Sequence, residues 1–337
     1  MKFAPGPSRV GHRVLRIVVT VCAVWWILSR IQVDQLGQIL TATEWPLFAV
    51  PIAGIAVNTA LLSGRLAVLF RAMGVRVGGR RIVDILCRSA FAGMALPQGG
   101  VDIARGTLFS QTKAGLNRSI AALVALKLTH FPILASVLLA GALSGVLQED
   151  PLLFGAACVY AAIAAVVVVL AWRAPALPAW VPIRVSNALN AFAASARQLR
   201  DHPMALAASM LLAIPMVMVN CAVVWFLLDQ FGHPMSFGVV VALVPAMDVV
   251  ILLPISVAGI GVRESVFAIA FASRGVSMDT AIAIGMIRWT GELTRAGIGC
   301  MLWLLTAVGR PLIAPEAPPG GIENDGHGQR NGTDSGH

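Results

Sequence analysis

The chain has 337 residues, of which 58% are hydrophobic and only 12% charged, with a formal net charge of +9. A soluble domain is about half apolar and about 25% charged, so these values exclude an ordinary soluble enzyme. They also speak against a nucleic-acid binder, because the positive charge falls between apolar runs and not on a basic patch interleaved with exposed aromatics.

In chain order, residues 1–15 form a basic segment expected on the cytoplasmic side. The first apolar run, Arg16 to Ile31, is followed by no small-x-small cleavage site, so it reads as a retained signal-anchor. Further runs cover Trp45–Leu69, Ile120–Leu147, Leu152–Trp172, Met204–Phe231, Phe237–Leu253 and Thr280–Leu305. A span needs about 20 apolar residues to cross roughly 30 Å of hydrocarbon. The runs do not alternate with period two, which disfavours a transmembrane barrel. The expected fold is therefore an all-α polytopic membrane domain over residues 16–310, followed by a polar tail at 311–337 with the composition of a disordered segment. Lys and Arg cluster at 2–16, 65–88, 105–118 and 173–200, whereas Asp34, Glu44, Glu149 and Asp150 mark the opposite connections. By the positive-inside rule the N-terminus and the connections near 71–81, 105–118 and 173–202 face the cytoplasm of an inner membrane, as does the C-terminus. An amphipathic stretch at Ser186–Leu199 is expected to lie on that surface.

Two segments do not fit as full spans. Ile82 to Leu96 is short, contains Asp84 and Arg88, and runs into Leu96-Pro97-Gln98-Gly99-Gly100-Val101-Asp102-Ile103-Ala104-Arg105. The second is Leu253-Pro254-Ile255-Ser256-Val257-Ala258-Gly259-Ile260-Gly261-Val262-Arg263-Glu264. Both begin Leu-Pro, pass through two glycines, and reach an arginine eight or nine residues after the proline. Backbone broken at depth is tolerated only where it is buried in protein or lines an aqueous cavity. Paired interruptions in two halves point to a transporter site. Two explanations stand: an inverted repeat with Pro97, Gly99, Gly100, Pro254, Gly259 and Gly261 as hinges, or coincidence in a chain rich in Pro and Gly. Six spans with two re-entrant pairs is the expected count, or eight spans if the short segments cross.

Charges inside a bilayer cost roughly 2.5–3.5 kcal/mol each at a helix centre on insertion scales. Arg288, Glu292 and Arg295 recur at spacings of four and three and share a helix face. Asp248 lies within an apolar run, and Lys127 and His130 share a face of another helix. The plainest structural explanation is an internal ion pair, Arg288 with Glu292 first. Across the apolar segments Arg88, Arg105, Lys127, Arg263, Arg288 and Arg295 outnumber Asp84, Asp102, Asp248, Glu264 and Glu292 by one. Surplus fixed positive charge suits a phosphate or other anionic headgroup. No HExxH, GxSxG or phosphate-binding loop appears. The five cysteines stand singly without metal spacing, so neither catalysis, a cofactor nor a metal is expected.

These residues resemble the flippase-like transmembrane family related to the membrane half of lysylphosphatidylglycerol synthase, over about Ile17 to Ala307. The second break is similar to that family's L-P-x-S-x-G-G-x-G-x-R-E element, with Ala258 in place of one glycine. Gly64-Arg65-Leu66 with Pro97, Gly100, Asp102 and Arg105 resembles its first-half pattern. Where relatives carry an acidic residue before an arginine, this chain has Leu126-Lys127. The resemblance implies translocation of a lipid: anionic, isoprenoid-linked or hopanoid. Arg65, Asp102, Arg105, Lys127, Asp248, Ser256, Arg263, Glu264, Arg288, Glu292 and Arg295 are the expected substrate-binding residues. The soluble aminoacyl-transferase half is not recognised, so lysine transfer is not expected. Two other readings stay open: a membrane scaffold subunit for a lipid-biosynthesis enzyme, and an intramembrane lipid transferase. The oligomeric state is left open.

Overall fold

A computed structural model describes residues 44–94, 100–173, 201–251 and 262–307. Nine helices account for nearly all of them: α1 (Trp45–Ala72), α2 (Gly79–Met94), α3 (Gly100–Ser110), α4 (Gly115–Leu143), α5 (Pro151–Arg173), α6 (Pro203–Gln230), α7 (Phe237–Ile251), α8 (Val262–Ala272) and α9 (Met278–Ala307). Helix is the expected outcome, because only helices and closed barrels satisfy every backbone group within lipid. The ends are set locally. Proline opens α1, α5 and α6, where no intrahelical donor is lost. Asp150 accepts hydrogen bonds from the backbone N–H groups of Leu152 and Leu153 at the head of α5.

Four helices are long and apolar enough to cross a membrane: α1, α4, the Pro151–Val169 part of α5, and α6. The 30 residues of α9 give it a comparable length, about 45 Å. These five correspond to expected spans, with α4 starting at Gly115 and ending at Leu143. By contrast α2, α3, α7 and α8 have 16, 11, 15 and 11 residues. Only α2 and α7 reach even about 23 Å. The run Arg16–Ile31, the stretch Ser186–Leu199, the tail at 311–337, residues 96–99 of the first break and 253–261 of the second lie outside the described residues.

The first pair of short helices folds back on itself. Gly93 on α2 faces Val101 on α3, where a Cβ on the glycine would stand 2.1 Å from a valine methyl. One turn away, Arg105 Nε donates to Ser89 Oγ at 3.3 Å. Contacts that step down one helix while stepping up the next define an antiparallel hairpin, which enters and leaves at one end of the bundle.

The helix lengths recur: 28, 16, 11 and 29 residues for α1–α4, then 28, 15, 11 and 30 for α6–α9. The turn after α1 uses Gly74 at φ 73°, and the turn after α6 uses Gly232 at φ 77°. The bonds Met73 N–H to Leu69 O, Gly74 N–H to Arg71 O and Val75 N–H to Phe70 O have counterparts in Phe231 to Leu227, Gly232 to Asp229 and His233 to Leu228. Packing respects the same exchange: α2 lies on α9 as α7 lies on α4, and α1 packs on α9 as α6 packs on α4. The helices α1 and α6 pair with each other, running antiparallel through Gly54 against Val223, Asn58 against Asn220 and Arg65 against Ser209. The two halves are therefore an inverted repeat, and α5 stands outside it against α4 and α7.

Glycines permit the closest approaches. A Cβ on Gly299 of α9 would sit 2.1 Å from the Cys87 carbonyl oxygen of α2, and one on Gly291 2.5 Å from the Pro51 carbonyl oxygen of α1. Small residues let membrane helices meet at backbone distance, where dispersion replaces the hydrophobic drive that lipid does not supply. Gly299→Ala is expected to destabilise the fold by about 1–3 kcal/mol, since a backbone carbonyl cannot swing aside. Gly297→Ala, whose Cβ would meet nothing within 4 Å, should leave the thermal transition in detergent unchanged.

Candidate functional site

Charged side chains from both hairpins pair across helices in mid-bundle. On the second-half side, both terminal nitrogens of Arg288 (α9) donate to Asp248 (α7) at 3.1 Å. The same guanidinium lies over the Phe267 ring of α8, 5.6 Å from its centroid. Arg288 thus ties α7, α8 and α9 at one point. The expected Arg288–Glu292 pair does not form. Glu292 instead accepts from Arg295 in the following turn, because Asp248, facing α9, offers Arg288 a bidentate geometry that a carboxylate on its own helix does not.

On the first-half side, Asp102 of α3 receives two cations. Arg105 Nη1 lies at 3.2 Å and Lys127 Nζ, from α4, at 2.8 Å. Arg105 is the fixed partner: its side chain is 10% exposed and also reaches Ser89 on α2. Lys127 is 47% exposed and Asp102 34%. The acid that the sequence does not supply beside Lys127 is supplied across space from α3.

Arg65 is placed differently. It is 1% exposed, and its guanidinium donates to the Leu126 carbonyl at 3.0 Å, Thr129 Oγ1 at 3.0 Å and Ser209 Oγ at 3.3 Å. Those partners are neutral and come from α4 and α6. Arg65 therefore clamps α1 to both neighbouring helices and faces no open space.

A cavity of about 80 Å³ opens between α1, α6 and α9, walled by Pro51, Gly54 and Gly291 and carrying Asn220, Arg288 and Glu292. It has room for several water molecules. Arg288 and Glu292 line it, and Arg295 adjoins it through Glu292. Gly100 begins α3. Arg263 and Glu264 fall in the first turn of α8, and their side chains lie outside the described residues, as do Pro97, Gly99, Pro254, Ser256, Gly259 and Gly261. Sequence reasoning missed the Asn58–Asn220 hydrogen bond at 2.7 Å that joins the two halves. Two asparagines in otherwise apolar spans were the available signal. Asp84 and Arg88, both noted as charges in the short first segment, pair with each other, and Arg88 also donates to Thr306 of α9.

Fold and site together define a multi-pass helical membrane protein with two pairs of short helices that bring charged side chains into the bundle. The family model described as the lysylphosphatidylglycerol synthase TM region matches residues 13–289, and the chain belongs to that family. No curated protein matches it significantly. The matched stretch includes Arg65, Asp102, Arg105, Lys127, Asp248 and Arg288 and ends before Glu292 and Arg295.

A double-mutant cycle at Asp248 and Arg288 should give a coupling of about 1–3 kcal/mol. Either alanine substitution alone strands a charge, so the double variant should unfold at a higher temperature than the sum of the singles requires.

Proposed function

We propose that the chain carries a lipid with an anionic headgroup across the cytoplasmic membrane, as a translocase and not as an enzyme. The observation that carries this reading is the charged system between the two hairpins. Arg105, Lys127, Arg288 and Arg295 are set against Asp102, Asp248 and Glu292, an excess of one positive charge in a bundle of apolar helices. Such groups are retained at depth where they meet a polar substrate. Membership of a lipid-related membrane family supports the same conclusion, as does the inverted repeat, an architecture that presents one site to two sides.

In this reading the hairpin α2–α3 enters from the cytoplasm. The end of the bundle where it enters carries Arg71, Arg76, Arg80, Arg81, Lys113 and Arg118 beside Asp201, and the other carries Glu44, Glu149, Asp150 and Asp229 beside Arg274, which pairs with Glu149. The headgroup passes between the hairpins while the acyl chains stay in lipid. Isoprenoid-linked and hopanoid lipids belong to the same substrate class where they bear an anionic headgroup. A lipid-biosynthesis enzyme acting on either leaflet is the corresponding partner.

Proteoliposomes holding a fluorescent anionic lipid test this through headgroup accessibility to a membrane-impermeant quencher. Wild-type protein should accelerate exchange over empty vesicles. Arg295→Gln and Arg105→Gln, checked for folding, should slow it roughly tenfold, equivalent to about 1.4 kcal/mol of lost headgroup interaction. Equal rates for wild type and empty vesicles, with isoprenoid and hopanoid probes included, would sink the translocase reading in favour of a scaffold.

A further inference from the structure

We infer that Asp102 is an internal stand-in for a phospholipid phosphate, and that Lys127 is the cation that exchanges it for the lipid and so sets selectivity for anionic headgroups. The inference rests on the lipid-binding reading above and names the residue pair that would discriminate.

Depth comes first. Lys127 lies twelve residues into the 29-residue α4, about 18 Å along a helix of about 43 Å. With that helix centred on a core of roughly 30 Å, its Cα is about 12 Å from the nearer boundary. A lysine stem reaches about 6 Å, too short to bring the ammonium to water by snorkelling. Yet the side chain is 47% exposed, so at this depth it needs a polar neighbour beyond the one carboxylate it touches. An ammonium has three donors, and Asp102 Oδ2 at 2.8 Å engages one of them.

The partners differ in how firmly they are held. Arg105 keeps contacts to both Asp102 and Ser89 and is nearly buried. If Lys127 leaves, Asp102 is still compensated by Arg105, so the exchange strands no buried charge. Two cations converging on one carboxylate form an anion site that its own protein fills. A phosphate diester offers the same oxygen chemistry with charge −1.

The surroundings select a lipid over a free phosphate. Ile103, next to Asp102, is 69% exposed, and Ile120, about two turns before Lys127 on α4, is 39% exposed. This apolar surface beside the ion pair suits acyl chains, whereas a soluble anion would be held better by a polar one.

The test is equilibrium binding to the purified full chain in neutral detergent, with phosphatidylglycerol and phosphatidylcholine as probes, read by native mass spectrometry. Wild type should prefer phosphatidylglycerol. Lys127→Gln should lower that preference about tenfold, the effect of one charge-assisted hydrogen bond, and Lys127→Arg should keep it. Asp102→Asn should change affinity in the opposite direction, raising phosphatidylglycerol binding severalfold by removing the competing carboxylate. Should Asp102→Asn fail to fold, the two Lys127 variants decide the matter alone. A purely structural tie would lower thermal stability in Lys127→Gln and leave the lipid preference unchanged, overturning the inference. Glycerol phosphate competing as well as the intact lipid would overturn the assignment to a phospholipid. Binding that behaves as expected, while liposomes show no acceleration, would leave this site standing and remove the transport reading.

Discussion

Every charge placed inside this bundle has to find its compensation inside the bundle, and that constraint organises the fold around it. Lipid offers neither counter-ions nor hydrogen bonds. Asp248 and Arg288 therefore fix how α7 stands on α9, Asp102 fixes α3 against α4, and Asp84 with Arg88 fixes α2 near the end of α9. Arg65 shows the same rule without an acid: three neutral oxygens on two other helices meet its guanidinium. The apolar surfaces fill space between these points but do not specify register, since lipid tails are as apolar as leucine.

Glycine supplies the complementary device. Gly93, Gly141, Gly291 and Gly299 all sit where a neighbouring helix would collide with a methyl group. Gly93 closes the first hairpin, and Gly141 and Gly299 serve matching interfaces of the repeat, α4 on α7 and α9 on α2. Close backbone approach shortens the distances across which the ion pairs form. Polar register and tight packing are thus two parts of one solution.

Much of this was legible along the chain. Apolar run lengths gave five described spans, and the Leu-Pro breaks marked the two short pairs. The stripe Arg288, Glu292, Arg295 was visible from spacing alone, because its three members share one helix. Its pairing was not visible, because Asp248 is 40 positions away and spacing carries no information about which face α7 presents. Arg65 was read as a binding residue from its motif, while Thr129 and Ser209, which bury it, look unremarkable in their own helices. The repeat was suspected from two similar breaks. Its strongest signature, the matched turns at Gly74 and Gly232, consists of backbone geometry around residues that share little chemistry beyond the glycine.

The two halves are alike in topology but unequal in grip. The second half holds its acid with an arginine fork making three hydrogen bonds, beside an aromatic ring. The first half holds its exchangeable contact with a single lysine bond on a half-exposed side chain. Arginine's planar donors resist stepwise loss, whereas an ammonium is a compact charge whose donors rotate freely. In the proposed exchange with an anionic headgroup, the first half is therefore the one that repartners, at the contact where α3 and α4 meet. For the proposed translocase, that inequality in grip would give the substrate a preferred first step.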